Sequence, residues 1–278
     1  MPSIAQAIRD ATHKLAETSD SARLDAEVLL CHALDCSATH LLAWPEKILD
    51  AEQAQIFNRL IEQRQSGTPV AYLTGKREFW SLDFNVTPAT LIPRPETETL
   101  VEFILDKFPD KKKLSLIDLG TGSGAIVIAI ASERPNWKIT STDISAEALG
   151  IARENAITHQ IKNISFIESN WFDQIETQYF DLVISNPPYI AEQDRHLSQG
   201  DVRFEPRSAL ISGETGMDDI KHIISQSGKY LKRDGWLALE HGYDQKQQVF
   251  ECFNQHFQNI TQLTDLSGHV RVTAGQYS

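Results

Sequence analysis

Phe180-Asp181-Leu182-Val183-Ile184-Ser185-Asn186-Pro187-Pro188-Tyr189 is an apolar run that halts at two consecutive prolines. Leu182, Val183 and Ile184 in succession, with an aromatic ahead of them, suit a buried strand. The strand has to end here, because the prolines donate no ladder hydrogen bond and disfavour helix in the residue ahead. A stiff turn therefore follows the carboxyl end of a strand, which is where open α/β sheets bind ligands. The turn offers the side-chain amide of Asn186, backbone carbonyls with no N–H close by to compete, and the aromatic face of Tyr189. That set suits a flat group carrying an NH2. Its N–H bonds can run to Asn186 Oδ1 and the Pro187 carbonyl, with Tyr189 packed on its plane. Standing alone, Pro-Pro more often just stops a strand, so the neighbouring segments decide the reading.

Upstream, Lys113 to Leu119 reads as a buried strand containing Asp118, followed by Gly120-Thr121-Gly122-Ser123-Gly124 and a helix opening at Ala125. Strand, glycine turn and helix make the first βα unit of a doubly wound sheet. The spacing is GxGxG after an acid, not the GxGxxG of dinucleotide-binding proteins. A second strand, Trp137 to Thr142, ends in Asp143, about twenty residues past the glycine loop, where an acid accepts from both ribose hydroxyls. The competing reading makes Asp143 the cap of a helix starting near Ser145. A third strand, Ile164 to Glu168, ends at Ser169-Asn170-Trp171, and Trp171 is assigned to an adenine pocket, with a core plug as the alternative. Glycine loop, ribose acid, adenine edge and Asn186 turn thus fall on successive strand ends.

The flanks are less telling. From Ile4 to about Ile61, apolar residues recur at helical spacing, with one stripe at Ile4, Ala7, Ile8, Ala11 and Leu15 and another at Leu24, Val28, Leu29 and Leu34. Trp44 and Phe57 are expected in the core. A third helical stretch spans Ala51 to Gln65, capped by Asp50 and stopped by Gly67-Thr68-Pro69. This bundle either docks a partner or is a passive cap. A β-hairpin is expected next, from Glu78 to Val86, turning at Thr87–Thr90 into Leu91-Ile92. Past the Asn186 turn, 191–215 is a long polar stretch, either functional or mobile. A helix from Met217 to Leu231, a strand from Trp236 to Glu240, a helix from Gln245 to Phe257 and two final strands, Ile260 to Asp265 and Val270 to Ala274, complete the pattern.

With 278 residues, 41% hydrophobic and 23% charged, the chain has an ordinary globular composition and room for two modest domains. Its net charge of −12 argues against a general affinity for nucleic acid. Cys31, Cys36 and Cys252 have no metal-ligand spacing and the histidines are scattered, so no metal is expected and a reducing compartment is. No apolar stretch approaches the roughly 18 residues of a membrane span, and the start of the chain lacks the pattern of a signal peptide, so a cytoplasmic protein is expected.

The order of strand-end features resembles that of class I methyltransferases that use S-adenosyl-L-methionine. Several stretches take the match further: Gly67-Thr68-Pro69-Val70-Ala71-Tyr72-Leu73-Thr74-Gly75, Glu78-Phe79-Trp80, Leu91-Ile92-Pro93-Arg94-Pro95-Glu96-Thr97-Glu98, the glycine loop, Asn186-Pro187-Pro188-Tyr189 and Glu205-Pro206. Together they are similar to the PrmC/HemK family of peptide chain release factor glutamine methyltransferases, over nearly the whole chain. Near the end, Asp265 to Arg271 matches only loosely. The resemblance implies an α/β fold: a Rossmann-like, mixed seven-stranded sheet with a small helical N-terminal domain joined by a β-hairpin. It implies a substrate-docking domain at 1–75, a hairpin linker at 76–95 and a methyltransferase domain at 96–278. It implies that Gly120, Thr121, Gly122, Ser123, Gly124, Asp143, Trp171 and Asn186 contact the cofactor, and that Asn186, Pro187, Pro188 and Tyr189 hold a glutamine side chain in the Gly-Gly-Gln loop of class I release factors. Asn186, Pro187 and Tyr189 are the expected catalytic residues. A monomer without direct nucleic acid contact is expected. The alternatives are a nucleic acid adenine amino-methyltransferase, which would flip a base into the same turn, a dinucleotide oxidoreductase, and a non-catalytic cofactor-sensing module.

Overall fold

The computed structural model describes residues 1–109, 113–176 and 179–278. Their strands, in chain order, are β1 (Lys76–Phe79), β2 (Leu82–Asn85), β3 (Ser115–Leu119), β4 (Lys138–Asp143), β5 (Ile164–Glu168), β6 (Phe180–Ser185), β7 (Leu231–Glu240), β8 (Phe257–Thr264) and β9 (Val270–Tyr277). Among the described residues, seven of them form one sheet in the order β5-β4-β3-β6-β7-β9-β8. The β3–β7 strands pair in parallel, and β9 runs antiparallel to both β7 and β8. The apolar run that stops at Pro187 is the central strand β6. Leu182 and Ile184 pack into the core on one face and Val183 into the core on the other, which is why the run does not alternate. From β3 the chain winds outward to β4 and β5, then returns to β6 beside β3, so the strand order reverses between β3 and β6. The carboxyl ends of these two strands flank the topological switch point, and they carry the glycine loop and the Asn186 turn.

The chain divides into two compact units, Met1–Lys76 with Ser198–Phe204, and Arg77–Leu197 with Glu205–Ser278. The first is helical: α1 (Ile4–Leu15), α2 (Ala22–Leu34), α3 (Ala38–Ala43), α4 (Ala51–Gln65) and α5 (Val70–Thr74). Asp50 and Gln53 form a reciprocal capping box at the start of α4. The buried side of α2 is Asp25, Ala26, Leu29 and Leu30, and Leu24 and Val28 are exposed, contrary to the expected stripe. The stripe is displaced because Asp25 is drawn inward, accepting from Ser19, Ser21 and the buried Arg64 guanidinium. Arg64 also donates to Asp201, which ties Ser198–Phe204 into this unit. Phe57 is a core residue as expected, whereas Trp44 is 61% exposed.

The second unit holds the sheet, with α6 (Glu98–Lys107), α7 (Ala125–Glu133), α8 (Ala146–Thr158), α9 (Asp218–Ser227) and α10 (Lys246–Phe253). The small β1–β2 sheet turns at Trp80-Ser81 rather than at Thr87–Thr90. Both turn residues take positive φ, 53° and 58°, an uncommon conformation for a tryptophan. Two carboxylates hold it there: Glu98 accepts the Trp80 N–H and Glu78 the Ser81 N–H. The helix expected to reach Leu231 stops at Ser227, because Leu231 already pairs beside Phe180 as the first residue of β7.

Candidate active site

A cleft of about 250 Å³ opens over the carboxyl ends of β3, β4, β5 and β6. At one end it is lined by the glycine loop from Gly120 to Ser123, by Asp143 and Ile144, and by the Ser169-Asn170-Trp171 turn. At the other it is lined by Arg94, Thr97, Asn186 and Pro188, with Pro206 and Ala209 from the long stretch after the turn.

The glycines of the loop serve separate purposes. Gly122 has φ 56° and open space where a Cβ would stand, and its N–H donates to Asp143 Oδ2 at 2.8 Å. At Gly124, with φ 83°, a Cβ would come within 2.9 Å of Ile128 and 3.2 Å of Ala152, so this glycine lets α7 and α8 meet. Trp171 lies against Gly120, and is itself held at φ 50°. Ser169 braces that turn, its hydroxyl donating to the Trp171 carbonyl and accepting the Gln174 N–H. Asn155, wholly buried on α8, donates to the Ser123 carbonyl and exchanges two hydrogen bonds with the Asn85 backbone, pinning the loop from behind.

Asp143 accepts the Ser145 N–H at 2.9 Å as well as that of Gly122. The α8 helix is capped by Ser145, whose hydroxyl accepts the Ala148 N–H. An ionised carboxylate has about four acceptor sites, so both oxygens of Asp143 keep capacity toward the cleft. Burial pushes its pKa up and the backbone donors pull it down. Asp118 next door is fully buried; desolvation, with some repulsion from Asp143, pushes its pKa up to about 7, against weaker lowering by Thr121 and Ser141. Asp118 Oδ1 and Thr121 Oγ1 are buried without hydrogen-bond partners.

At the other end, Asn186 Nδ2 donates to Thr97 Oγ1 at 3.3 Å. No donor among the described residues engages Asn186 Oδ1. Thr97 arrives on the short 3-10 turn Pro95–Thr97 ahead of α6. Arg94 is paired with Glu205, whose other carboxylate oxygen accepts the Ile92 N–H. Pro187 is buried, and neither it nor Tyr189 lines the cleft in this structure. The Tyr189 ring packs against the core cluster that includes Val183 and Leu239, its hydroxyl donates to Glu240 Oε1 at 3.5 Å, and its carbonyl accepts from Gln245. Burial, then the Glu240 charge, raise the Tyr189 pKa. Thr97, Glu205, Glu240 and Asn155 were not singled out by sequence reasoning as site residues. The Arg94–Thr97 stretch and Glu205-Pro206 carried the family resemblance, which pointed to two of them; Glu240 ends a strand run and looked like any other strand acid.

The sheet order, the glycine loop and the Asn186 turn define a class I methyltransferase. Comparison with known proteins narrows this. Residues 6–75 match the model of the PrmC N-terminal domain and residues 96–202 that of the methyltransferase small domain. The chain is 48% identical to the release factor glutamine methyltransferase of Vibrio cholerae, over 99% of this chain and 96% of that one. It is 46% identical to that of Escherichia coli, over 97% of both. The chain belongs to the release factor glutamine methyltransferase family. Among solved structures, the fold is similar to the catalytic domain of hMettl16 in complex with a MAT2A 3'UTR hairpin (TM-score 0.58, 18% identity, 75% of this chain and 80% of that one). It is also similar to a Pyrococcus furiosus methyltransferase (TM-score 0.53, 16% identity, 79% and 98%). These two likenesses are of fold alone.

Proposed function

We propose that this chain methylates the side-chain amide nitrogen of the glutamine in the Gly-Gly-Gln loop of class I peptide chain release factors, with S-adenosyl-L-methionine as methyl donor. The observation that carries this reading is the Asn186–Thr97 bond: it ties down the NH2 end of the Asn186 amide and leaves Oδ1 for an incoming N–H. The relatives' shared name supports the identity of the amide.

The residues present suit the methyl donor. Open space at Gly122 and the unpartnered Asp118 Oδ1 and Thr121 Oγ1 leave room and polar capacity beside the glycine loop. Gly120 to Gly124 and Asp143 would hold its amino acid and ribose parts, Trp171 its adenine, and Asn186 the end nearest the reacting methyl. When bound, S-adenosyl-L-methionine supplies a methyl group already activated on a sulfonium.

An amide nitrogen is a poor nucleophile because its lone pair is conjugated with the carbonyl, a coupling measured by the rotation barrier of about 18–20 kcal/mol. As the nitrogen takes up the methyl and the methyl's bond to sulfur breaks, positive charge grows on its N–H bonds, and one of those protons is then released to solvent to leave the neutral N-methyl amide. Asn186 Oδ1, on the cleft side of the turn, accepts one of those bonds and stabilises the charge more than it stabilises the resting amide. Pro187 and Pro188 stiffen the turn that carries this acceptor and bring no backbone N–H groups to compete for it.

In this reading 1–75 is the docking domain, 76–95 the linker and 96–278 the catalytic domain. An apolar groove in the helical unit, lined by Ile4, Ile8, Leu41, Leu42 and Pro45, with Leu42 exposed, supports a docking role. The free cysteines Cys31, Cys36 and Cys252 support action in a reducing compartment such as the cytoplasm, and the net charge of −12 supports the expectation of no direct nucleic acid contact; a monomer is part of the same reading.

The test incubates the chain with methyl-labelled S-adenosyl-L-methionine and a release factor, beside a release factor variant lacking the loop glutamine. Label on the normal factor alone is expected. Label on added DNA or RNA in place of either factor would move the chain to adenine modification.

A further inference from the structure

Glu240 is a buried acid that the reaction as derived does not use. It closes β7, one residue past Leu239, the partner of Ser185 at the end of β6, and so stands beside Asn186. It is 1% exposed. Its Oε1 takes the Tyr189 hydroxyl at 3.5 Å, and its Oε2 is buried without a partner of its own. The hydroxyl of Thr97 lies close enough to the carboxyl to favour its charged form.

The hydrogen-bond roles around Asn186 follow from this arrangement. A hydroxyl has one proton to give and lone pairs to accept with. Thr97 Oγ1 accepts from Asn186 Nδ2, so its own proton needs an acceptor elsewhere. The Glu240 carboxylate, ionised, can only accept, and it is the acid at hand. Turned toward that carboxylate, the Thr97 hydroxyl would donate to Glu240 while it accepts from Asn186, and the Asn186 amide then keeps its oxygen toward the cleft. Were Glu240 neutral, it could donate to Thr97. Thr97 would then be free to donate to Asn186 Oδ1 and turn the amide end for end, presenting NH2 to a substrate NH2.

We propose that Glu240 is a positioning residue for methyl transfer: through Thr97 it decides which end of the Asn186 amide faces the substrate. The proposal rests on the amide-methylation reading above. Burial pushes the Glu240 pKa up to about 7, countered by Thr97, with smaller effects of Arg271, Glu96 and Arg94. Neither guanidinium is dedicated to Glu240, since Arg271 is paired with Asp265 and Arg94 with Glu205. The transfer rate therefore rises as pH climbs through about 7 and Glu240 ionises.

The experiment measures transfer to a release factor in the full-length wild type, Glu240→Gln, Thr97→Val, Thr97→Ser and the double variant Thr97→Val/Glu240→Gln, from about pH 6 to pH 8. A wild type inactive on the release factor would count against the function reading, and comparisons among the variants test the positioning role. Glu240→Gln and Thr97→Val are each expected to lower kcat about 10- to 100-fold, as a misplacement of about 1 Å does. KM for the release factor and calorimetric affinity for S-adenosyl-L-methionine should stay within about twofold. Thr97→Ser, which keeps the hydroxyl, should restore the rate. The double variant should be no worse than the poorer single one, because both losses act through Asn186. The rise near pH 7 should vanish in Glu240→Gln. Additive losses, a pH profile unchanged by Glu240→Gln, or a loss carried by KM would each overturn the proposal. If Glu240→Gln fails to fold, a Thr97→Val rate equal to wild type still overturns it.

Discussion

At the glycine-loop end of the cleft the polar groups come largely from backbone at consecutive βα turns. The Gly122 and Ser145 N–H groups are held on Asp143, the Gly120 and Thr121 N–H groups on the Thr142 carbonyl, and the Ser123 carbonyl on Asn155. At the Asn186 end they come from side chains far apart in the chain: Arg94 and Thr97 before α6, Asn186 after β6, Glu205 beyond it, and Glu240 at the end of β7. A backbone-built end depends on φ and on room, and single side chains matter little to it except where one carboxylate gathers several donors. A side-chain-built end has no redundancy, since each atom has one job. The two ends should thus fail differently when mutated, the Asn186 end in rate and the glycine-loop end in cofactor affinity.

The largest effect should come from Asn186→Ala. It removes an acceptor that is preorganised for charge appearing only during transfer, so kcat should fall about 10²–10³-fold. Affinity for S-adenosyl-L-methionine, followed by calorimetry, should survive in large part, because the glycine loop and Asp143 are untouched. A variant that keeps near-normal turnover would erase the contrast between the two ends.

The same contrast governs what the sequence made legible. The glycine-loop end is written in contiguous signals: a strand, a glycine run and an acid at the next strand end, each with a local physical meaning. The Asn186 turn was legible for the same reason, since two prolines after an apolar run have few readings. What supports Asn186 was not, because the partners of Thr97 and Glu240 are set by sheet order, and nothing in a strand run announces which neighbour its last residue will meet. The Trp80-Ser81 turn was missed because its positive φ values are imposed by Glu98 and Glu78 rather than by a glycine or asparagine. The α2 stripe was misplaced because an ion pair between Asp25 and Arg64, 39 positions apart, outweighed helical periodicity.

An intermediate effect is expected at Asp143, and it sharpens the comparison from the other side. Asp143→Ala removes the acceptor for two loop N–H groups and for the ribose hydroxyls assigned to it. Hydrogen bonds to a charged group contribute about 1.5–3 kcal/mol, so the Kd for S-adenosyl-L-methionine should rise about 10- to 100-fold. The rate at saturating cofactor should change far less. A variant whose loss sits in kcat with Kd unchanged would place Asp143 in the chemistry and not in binding.

The smallest effect concerns Asp118 and is one of stability. Its pKa stands at about 7 in the folded chain against 3.8 in its absence, the cause being burial. Below about pH 4 the group is neutral folded or unfolded, and its contribution to stability is fully present. As pH rises from about 4 to about 7 the unfolded chain releases this proton and the folded chain retains it, so stability drains away through that window and the loss levels off once the folded group ionises too. Asn at 118 has no proton to lose. Asp118→Asn should therefore match the wild type in melting temperature near pH 4 and exceed it at pH 8, by about 2–4 °C for each kcal/mol recovered. The measurement is a series of thermal melts of both proteins without cofactor, and curves that stay parallel across the range would show that the loop does not carry a buried charge at neutral pH. A variant that gains stability at pH 8 yet binds S-adenosyl-L-methionine more weakly would show the opposite: that the glycine-loop end, though built of backbone, keeps one destabilising side chain for the sake of its ligand.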